Sequence, residues 1–243
     1  MTDAFTQFDL LRDLHALGAA PGDMLFVHSS YKSLGPVAGG AEAVVKALEE
    51  AVGPEGLVLM PSFNLVQMDQ RAATWNPATT PSTVGYLTEY FRQLPGTFRS
   101  DHYSHSVAAR GTGAEAFAAG HLAREGYDSP WDRPPWGKTY GTHSPMLRAY
   151  RDGGKVLMLG VDYHSSTYMH VVEVMSWNRA RKDNPDAKYR WLDRDKVGAF
   201  WDAHGQLNRG KIGHAGCRLF GIREYVDGLL AEVTEHPEYW RND

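Results

Sequence analysis

Three uninterrupted apolar runs restrict what this chain can fold into more than any other feature. "DMLFVHSS" (23–30), "GLVLMPS" (56–62) and "KVLMLGV" (155–161) have strand length and stay apolar at successive positions instead of alternating. A strand that is apolar on both faces belongs in a sheet covered on both sides. The first two runs are joined through "AEAVVKALEEAVG", where Val44, Val45, Leu48 and Val52 make one helical face that stops at Gly53. Strand, helix and strand in this order form a βαβ unit, which implies a mostly parallel sheet.

The other segments fit the same class. "FDLLRDLHALG" spaces Phe8, Leu11, Leu14 and Leu17 as the inward face of a helix ending at Gly18. "STVGYLTEYFRQLPG" reads as a helix with Leu87, Tyr90, Phe91 and Leu94 inward, and Ser144 with Pro145 makes an N-cap and N1 pair. "GIREYVDGLLAEVTEH" closes the chain as an amphipathic helix. Residues Phe63 to Pro81 lack periodicity and read as a long covering or functional loop, whereas Arg179 to Asp195 turns charged. "YDSPWDRPPWGKTYGTHSP" carries aromatics that need burial, so it reads as ordered; Trp131, Trp136 and Trp177 suit a cleft, a subunit contact or the core.

With 243 residues and 42% hydrophobic content, the chain fits one domain, 1–243. A net charge of -4 and a pI near 6.3 give no reason to expect nucleic acid as a partner. A mild acidic excess suits a cationic small molecule. The single Cys217 forms no internal disulfide, and Met1 to Ala20 shows no charged start followed by an apolar stretch, so the expected compartment is the cytoplasm. No apolar run approaches the roughly 20 residues needed to span a bilayer, so no membrane partner is expected. The oligomeric state stays open, a homodimer included.

In an open α/β sheet, ligands bind beyond the carboxyl ends of the strands, which directs attention to three loops. After the first strand, "HSSYKSLGPVAGG" offers Ser29, Ser30, Lys32 and Ser33 with glycines at 35, 39 and 40, a set that suits phosphate and equally suits an ordinary turn before a helix. "RSDHYSHSVAARG" packs Arg99, His102, His105 and Ser106 together, as a surface turn or, with His164 and His170, as metal ligands. Third, "LMLGVDYHSSTYMHVVEV" runs from a buried strand into a helix, with Ser165 or Ser166 as its cap. Thr167, His170 and Glu173 then share one face, because residues three apart are neighbours on an α-helix. There Glu173 would fix the tautomer of His170 as a general base, with Thr167 as a donor to developing negative charge; the alternative is a buried histidine that merely satisfies a glutamate. Cys217, in "GHAGCRLF", fits a structural thiol better than a nucleophile.

Taken in order along nearly the whole chain, "GDMLFVHSSYKSLGPVAGG", "GYLTEYFRQLPGTFRSDHYSHSVAARG", "THSPMLRAY", "VLMLGVDYHSSTYMHVVE" and "GKIGHAGCRLF" resemble the aminoglycoside 3-N-acetyltransferase family. The resemblance implies a three-layer αβα sandwich around a mixed, largely parallel central sheet. It implies an acetyl-CoA co-substrate, an aminoglycoside 3-amino group as acceptor, antibiotic resistance, and direct transfer without an acyl-enzyme or a metal. On this chain the family's catalytic histidine falls on His170, its acidic partner on Glu173 and its threonine on Thr167. The coenzyme A loop falls on His28, Ser29, Ser30, Lys32, Ser33, Leu34 and Gly35, with Ser100, His102 and Ser106 in a second motif lining the cleft.

The chain departs from that pattern in places. Tyr103 stands where the family's second motif has proline, and His164 and Ser166 stand ahead of the threonine where an aspartate and an asparagine are usual. Lys188 to His204, where the family gathers carboxylates, is shorter and mixes Asp193, Asp195 and Asp202 with Arg190, Arg194 and Lys196. A biosynthetic N-acyltransferase acting on another amine therefore stands as an alternative, followed by a metal-dependent hydrolase.

Overall fold

A computed structural model describes residues 4–66 and 68–242. The chain begins with α1 (Gln7–Leu17), β1 (Met24–Ser29), a 3-10 turn (Tyr31–Leu34), α2 (Gly40–Val52), β2 (Leu57–Pro61), the short α3 (Arg71–Thr74) and α4 (Tyr86–Gln93). It continues through β3 (Phe98–Arg99), β4 (Val107–Gly111), α5 (Ala114–Ala118), β5 (Gly126–Tyr127), β6 (Tyr140–Gly141), α6 (Pro145–Arg151) and β7 (Lys155–Leu159). A second 3-10 turn (Tyr163–Ser165) leads into α7 (Thr167–Asp183), followed by α8 (Arg194–His204), β8 (Asn208–Ile212), β9 (Ala215–Gly221) and α9 (Ile222–Glu235).

Local chemistry sets several of these ends. Thr6 and Asp9 form a reciprocal capping box at α1, and Gly18, at φ 108°, ends that helix in the left-handed region. Ser144 accepts from the Leu147 N–H with Pro145 at the first helical position, as the sequence suggested. One detail of α1 differs from the sequence reading. Leu10, Leu14 and Leu17 are buried whereas Phe8 is 71% exposed, because the helix docks on α2 and β8 by the neighbouring stripe.

The main sheet has seven strands in the order β3-β4-β2-β1-β7-β9-β8, and β5 with β6 forms a separate hairpin. β1 pairs in parallel with both β2 and β7, while β4 and β9 flank that trio antiparallel and pair in turn with β3 and β8. Five of the seven strands therefore point the same way. Alternation along the apolar strands supplies two cores. Leu25, Val27, Val58, Met60, Leu157 and Leu159 face α1, α2 and α4, whereas Phe26, Leu57, Leu59, Val156 and Met158 face α6, α7 and α9. The result is the expected three-layer αβα sandwich around a mixed sheet. Among the described residues no helix is long and apolar enough to cross a membrane.

Strand direction also decides where the loops go. The carboxyl ends of β1, β2 and β7 lie at one edge, and the register Pro61 to Val107 and Leu159 to Cys217 brings the amino ends of β4 and β9 to that same edge. Loops 28–35, 62–83, 100–106, 160–166 and 213–214 consequently meet there.

Candidate active site

The first two turns of α7 carry Thr167, His170 and Glu173. Its N-cap position is Ser166, although the Ser166 side chain makes no capping bond, and Asp162 accepts the His164 N–H to shape the approach. Three residues apart on the helix, His170 Nδ1 lies 2.7 Å from Glu173 Oε2. The Glu173 side chain is fully buried; Oε2 also accepts the Tyr189 hydroxyl at 2.7 Å and Oε1 accepts the Leu192 main-chain N–H at 2.9 Å. A carboxylate so enclosed is held by three donors, which is how a buried charge is kept. Because Nδ1 faces the carboxylate it carries the proton toward it, and Nε2 presents its lone pair on the other side. Arg194 lies against the ring there, with Nη2 3.1 Å from Nε2 and Nη1 3.1 Å from the Ser166 carbonyl oxygen.

His170 opens onto a cavity of about 490 Å³. The rings of Trp131, Trp191 and His105 stand edge-on around it with centroids at 5.1, 5.5 and 5.6 Å. Thr167 and His28 form the adjoining wall: His28 Nε2 is 3.4 Å from the Thr167 N–H and 3.3 Å from its hydroxyl. Burial, helped by the Arg194 charge, pushes the His28 imidazole down to about 3, so it stands there as a neutral acceptor. One lone pair takes one donor. When the main-chain N–H takes it, the Thr167 hydroxyl proton is left for an oxygen in the cavity. His105 is likewise held well below its ordinary value, by burial first and the neighbouring His170 next, and its Nδ1 meets the Ser104 hydroxyl at 2.5 Å.

The first loop opens toward a second, shallower groove of about 530 Å³ that shares Ser165 with the cavity and is lined by Ser33, Gly160 and His214 among others. Ser33 donates to Ser30 Oγ at 2.8 Å, Lys32 is exposed, and the buried Ser29 hydroxyl at the cavity wall has no hydrogen-bond partner among the described residues. Gly35 lies at φ 82°, where a side chain would also strike His214. Leu34 is wholly buried in the core, so it supports the loop from beneath. Ser29 lines the cavity and Ser33 the groove, whereas Ser30 and Lys32 line neither; an unpartnered hydroxyl on the wall suits the amide groups of coenzyme A.

The second motif divides. Ser104 and His105 reach the cavity, but Ser100, His102 and Ser106 are not among its lining residues. They are fully buried behind it: Ser106 donates to the Ser100 carbonyl, Ser100 Oγ accepts the Val107 N–H, and His102 stacks on His121 with centroids 4.7 Å apart. Their work is to fix the hairpin that presents His105. Tyr103, in the family's proline position, is fully buried and donates to the Trp131 carbonyl, which ties this motif to the Trp131 loop. Sequence patterning does not single out Tyr189, Trp191, Arg194 or Arg71. All four sit in segments without periodicity, and the only signal was composition, aromatic and arginine residues clustered where no core pattern required them.

The alternative histidine cluster does not assemble. His164 pairs with Asp195 at 2.9 Å and His102 with His121, and among the described residues no group of three or more His, Cys, Asp or Glu is placed to hold a metal ion. Cys217 is buried, its thiol pushed up by burial, and donates to the Ala215 carbonyl.

Comparison with known proteins agrees with this fold. The chain is 32% identical to aminoglycoside N(3)-acetyltransferase III from Salmonella sp, covering 95% of this chain and 92% of that protein. It is 30% identical to the prophage-derived aminoglycoside N(3')-acetyltransferase-like protein YokD of Bacillus subtilis (strain 168), covering 91% and 90%. Among solved structures, the aminoglycoside acetyltransferase AAC(3)-IVa apoenzyme superposes with a TM-score of 0.77 at 28% identity, over 98% of this chain and 91% of that one. AAC-IIIb in its binary complex with CoASH gives 0.78 at 25% identity, over 96% and 98%. The family model for aminoglycoside 3-N-acetyltransferase matches residues 26–233, a span that runs from within β1 to the last turns of α9 and takes in the whole His170 cavity. The chain therefore belongs to the aminoglycoside 3-N-acetyltransferase family, whose members are acetyl-CoA-dependent enzymes.

Proposed function

We propose that this protein transfers the acetyl group of acetyl-CoA to an amine by direct attack, with His170 as general base, and that the acceptor is the 3-amino group of an aminoglycoside. The observation that carries the reading is the His170–Glu173 pair on the cavity wall, with Nδ1 tied to the buried carboxylate. An amine attacks only with its lone pair free, so His170 Nε2 takes a proton as the C–N bond forms at the carbonyl carbon. Glu173 holds the ring in the tautomer that can accept it and stabilises the charge the ring acquires. Thr167 supplies a hydroxyl to the carbonyl oxygen as negative charge develops, aided by the amino end of α7. A donor of this kind is commonly worth about 3 kcal/mol, more than a hundredfold in rate. The proton then leaves with the thiol sulfur as the C–S bond breaks.

Ser29, Ser30, Lys32, Ser33 and Gly35 serve the coenzyme A side, and Ser100, His102 and Ser106 serve it indirectly by fixing the hairpin. We place the activity in the cytoplasm, where acetyl-CoA is found, and resistance to an aminoglycoside as its consequence. A second acceptor class is favoured by one observation: among the described residues no Asp or Glu lines the cavity, while Arg71 and Arg194 do. A polycation gains nothing from such a wall, so an amine of another kind is the alternative.

The test is incubation with acetyl-CoA and a panel of aminoglycosides, following free thiol and locating the added acetyl group by mass spectrometry and NMR. His170→Ala should nearly abolish turnover and leave coenzyme A binding intact. Near-normal kcat in that variant would eliminate the reading.

A further inference from the structure

Trp191 is 46% exposed and lines the His170 cavity, with its ring centroid 5.5 Å from that of His170 and 6.0 Å from that of Trp131. The chain that carries it is tied down. Leu192 N–H donates to Glu173, Asn242 N–H donates to the Trp191 carbonyl at 3.0 Å, and Asp193 N–H donates to the Trp240 carbonyl at 2.8 Å. The exposure of this indole is therefore held in place by the fold. Elsewhere in the molecule a cation covers such a ring: Arg99 lies over Trp75 at 4.4 Å and Arg181 over Trp177 at 4.9 Å. Among the described residues no arginine or lysine lies over Trp131 or Trp191. The two arginines of the cavity wall are turned to other partners, Arg71 to the Tyr103 ring at 5.4 Å and Arg194 to the Ser166 carbonyl at 3.1 Å.

We infer that Trp191, with Trp131 beside it, is the platform on which a cationic amino-sugar ring of the aminoglycoside acceptor lies. The inference rests on the acetyl-transfer reading and names a specificity-determining residue for it. An amino-sugar ring shows C–H groups on its faces and ammonium groups at its rim, and the negative face of an aromatic ring attracts both. Carboxylates would meet the same charges, but among the described residues none lines the cavity, so the aromatic rings are what it offers a cation. Position points to the acceptor. An amine that gives its proton to His170 Nε2 comes within about 3 Å of that atom, so the sugar ring that bears the amine reaches the neighbouring Trp191. The adenine of coenzyme A is separated from the thioester by the whole pantetheine arm and lies away from the base. Tyr189, two residues before Trp191, and Leu192, next to it, both donate to Glu173, so one segment sets the platform and the base in register.

The experiment compares the wild-type protein with Trp191→Phe, which keeps an aromatic face, and Trp191→Leu, which keeps apolar bulk without one. Calorimetry reads the binding of gentamicin C1a and, separately, of coenzyme A; thiol release reads transfer. Trp191→Leu should weaken gentamicin C1a binding about tenfold or more and Trp191→Phe by less than about threefold, with coenzyme A affinity changed less than about threefold in both. Leucine binding as well as tryptophan, or leucine and phenylalanine failing alike, overturns the proposal. A loss of coenzyme A affinity as large as the loss for gentamicin C1a also overturns it, by moving Trp191 to the donor side. A wild-type protein that does not bind gentamicin C1a sinks this inference, and transfer to another amine would still leave acetyl transfer standing. Binding of gentamicin C1a that depends on the aromatic ring, with no transfer to any amine, does the reverse.

Discussion

Glu173→Gln is the substitution whose outcome the geometry fixes most closely. The carboxylate accepts from His170, Tyr189 and the Leu192 N–H, and an amide of the same shape cannot accept at both ends. With its oxygen toward His170, the amide NH2 points at the Leu192 N–H, donor against donor, at a buried side chain. A buried donor left unsatisfied costs about 1–3 kcal/mol. With the amide turned over, its oxygen accepts from Leu192 while its NH2 donates to the Tyr189 oxygen and to His170 Nδ1. The Leu192 N–H and His170 Nδ1 are then satisfied, with only the rotatable Tyr189 hydroxyl losing its acceptor, but the imidazole proton is forced onto Nε2 and the base is gone. At about 1.4 kcal/mol per tenfold, the competent tautomer falls to between about a fifth and about a hundredth of the population. Loss of the charge that stabilises the imidazolium comes on top, and a triad that loses its carboxylate the same way drops about 10⁴-fold. We expect kcat near 10³-fold below wild type, between those bounds, with KM for acetyl-CoA changed less than about threefold. Thiol release under saturating acetyl-CoA measures it, and urea unfolding confirms that the variant is folded. A folded Glu173→Gln protein with kcat within tenfold of wild type would refute both the tautomer argument and the role given to His170.

Tyr189→Phe keeps the ring among Trp131, Trp177 and Trp191 but removes one donor from the buried carboxylate; unfolding free energy should fall by about 1.5–3 kcal/mol, with a smaller loss of kcat than in Glu173→Gln. Burial holds His28 at about 3 and His121 at about 4, both below the ordinary 6.5. The unfolded chain therefore binds protons that the folded one refuses, so stability is full above about pH 6.5 and falls by about 1.4 kcal/mol per pH unit for each ring below it, about 4 kcal/mol at pH 5 for these two rings together. A flat unfolding free energy between neutral pH and pH 5 would contradict this. Leu10→Ala should cost about 2–5 kcal/mol in urea unfolding, whereas Phe8→Ala, on the exposed side of the same helix, should change it by less than about 0.5 kcal/mol. Cys217 should stay silent to a thiol-reactive dye until the protein is denatured, and Cys217→Ser should retain full turnover.

What was legible in the sequence was whatever repeats with a local period. The continuous apolar strands announced the sheet, and the spacing of His170 and Glu173 announced their contact on α7, because both patterns are set within a few residues. Even so, period does not choose between neighbouring stripes on a helix; that choice falls to the docking partner, and it turned Leu10 inward in place of Phe8. Proximity along the chain also misled in "DHYSHS", where one turn sends His105 to the cavity and His102 into the interior. The groups that complete the Glu173 and His170 environment, Tyr189, the Leu192 N–H and Arg194, come from 16 to 24 residues later, through a segment whose pattern carries no period at all.

The antiparallel flanks of the sheet matter to the site as much as its parallel centre. Had β4 and β9 run parallel to β2 and β7, the residues preceding them would lie at the far edge, and neither His105 nor His214 would reach the loops after β1 and β7. Reversal brings both to the edge where those loops end. It follows that the base, its acceptor wall and the coenzyme groove are furnished by different strands: His170 by the helix after β7, His105 by the turn before β4, Ser29 and Ser33 by the loop after β1. A change of acceptor therefore needs no change in the catalytic helix. Substitutions in the 62–83 segment and the 185–195 segment, which supply Arg71, Tyr189, Trp191 and Arg194, can re-charge one wall of the cavity while the His170–Glu173 pair stays as it is.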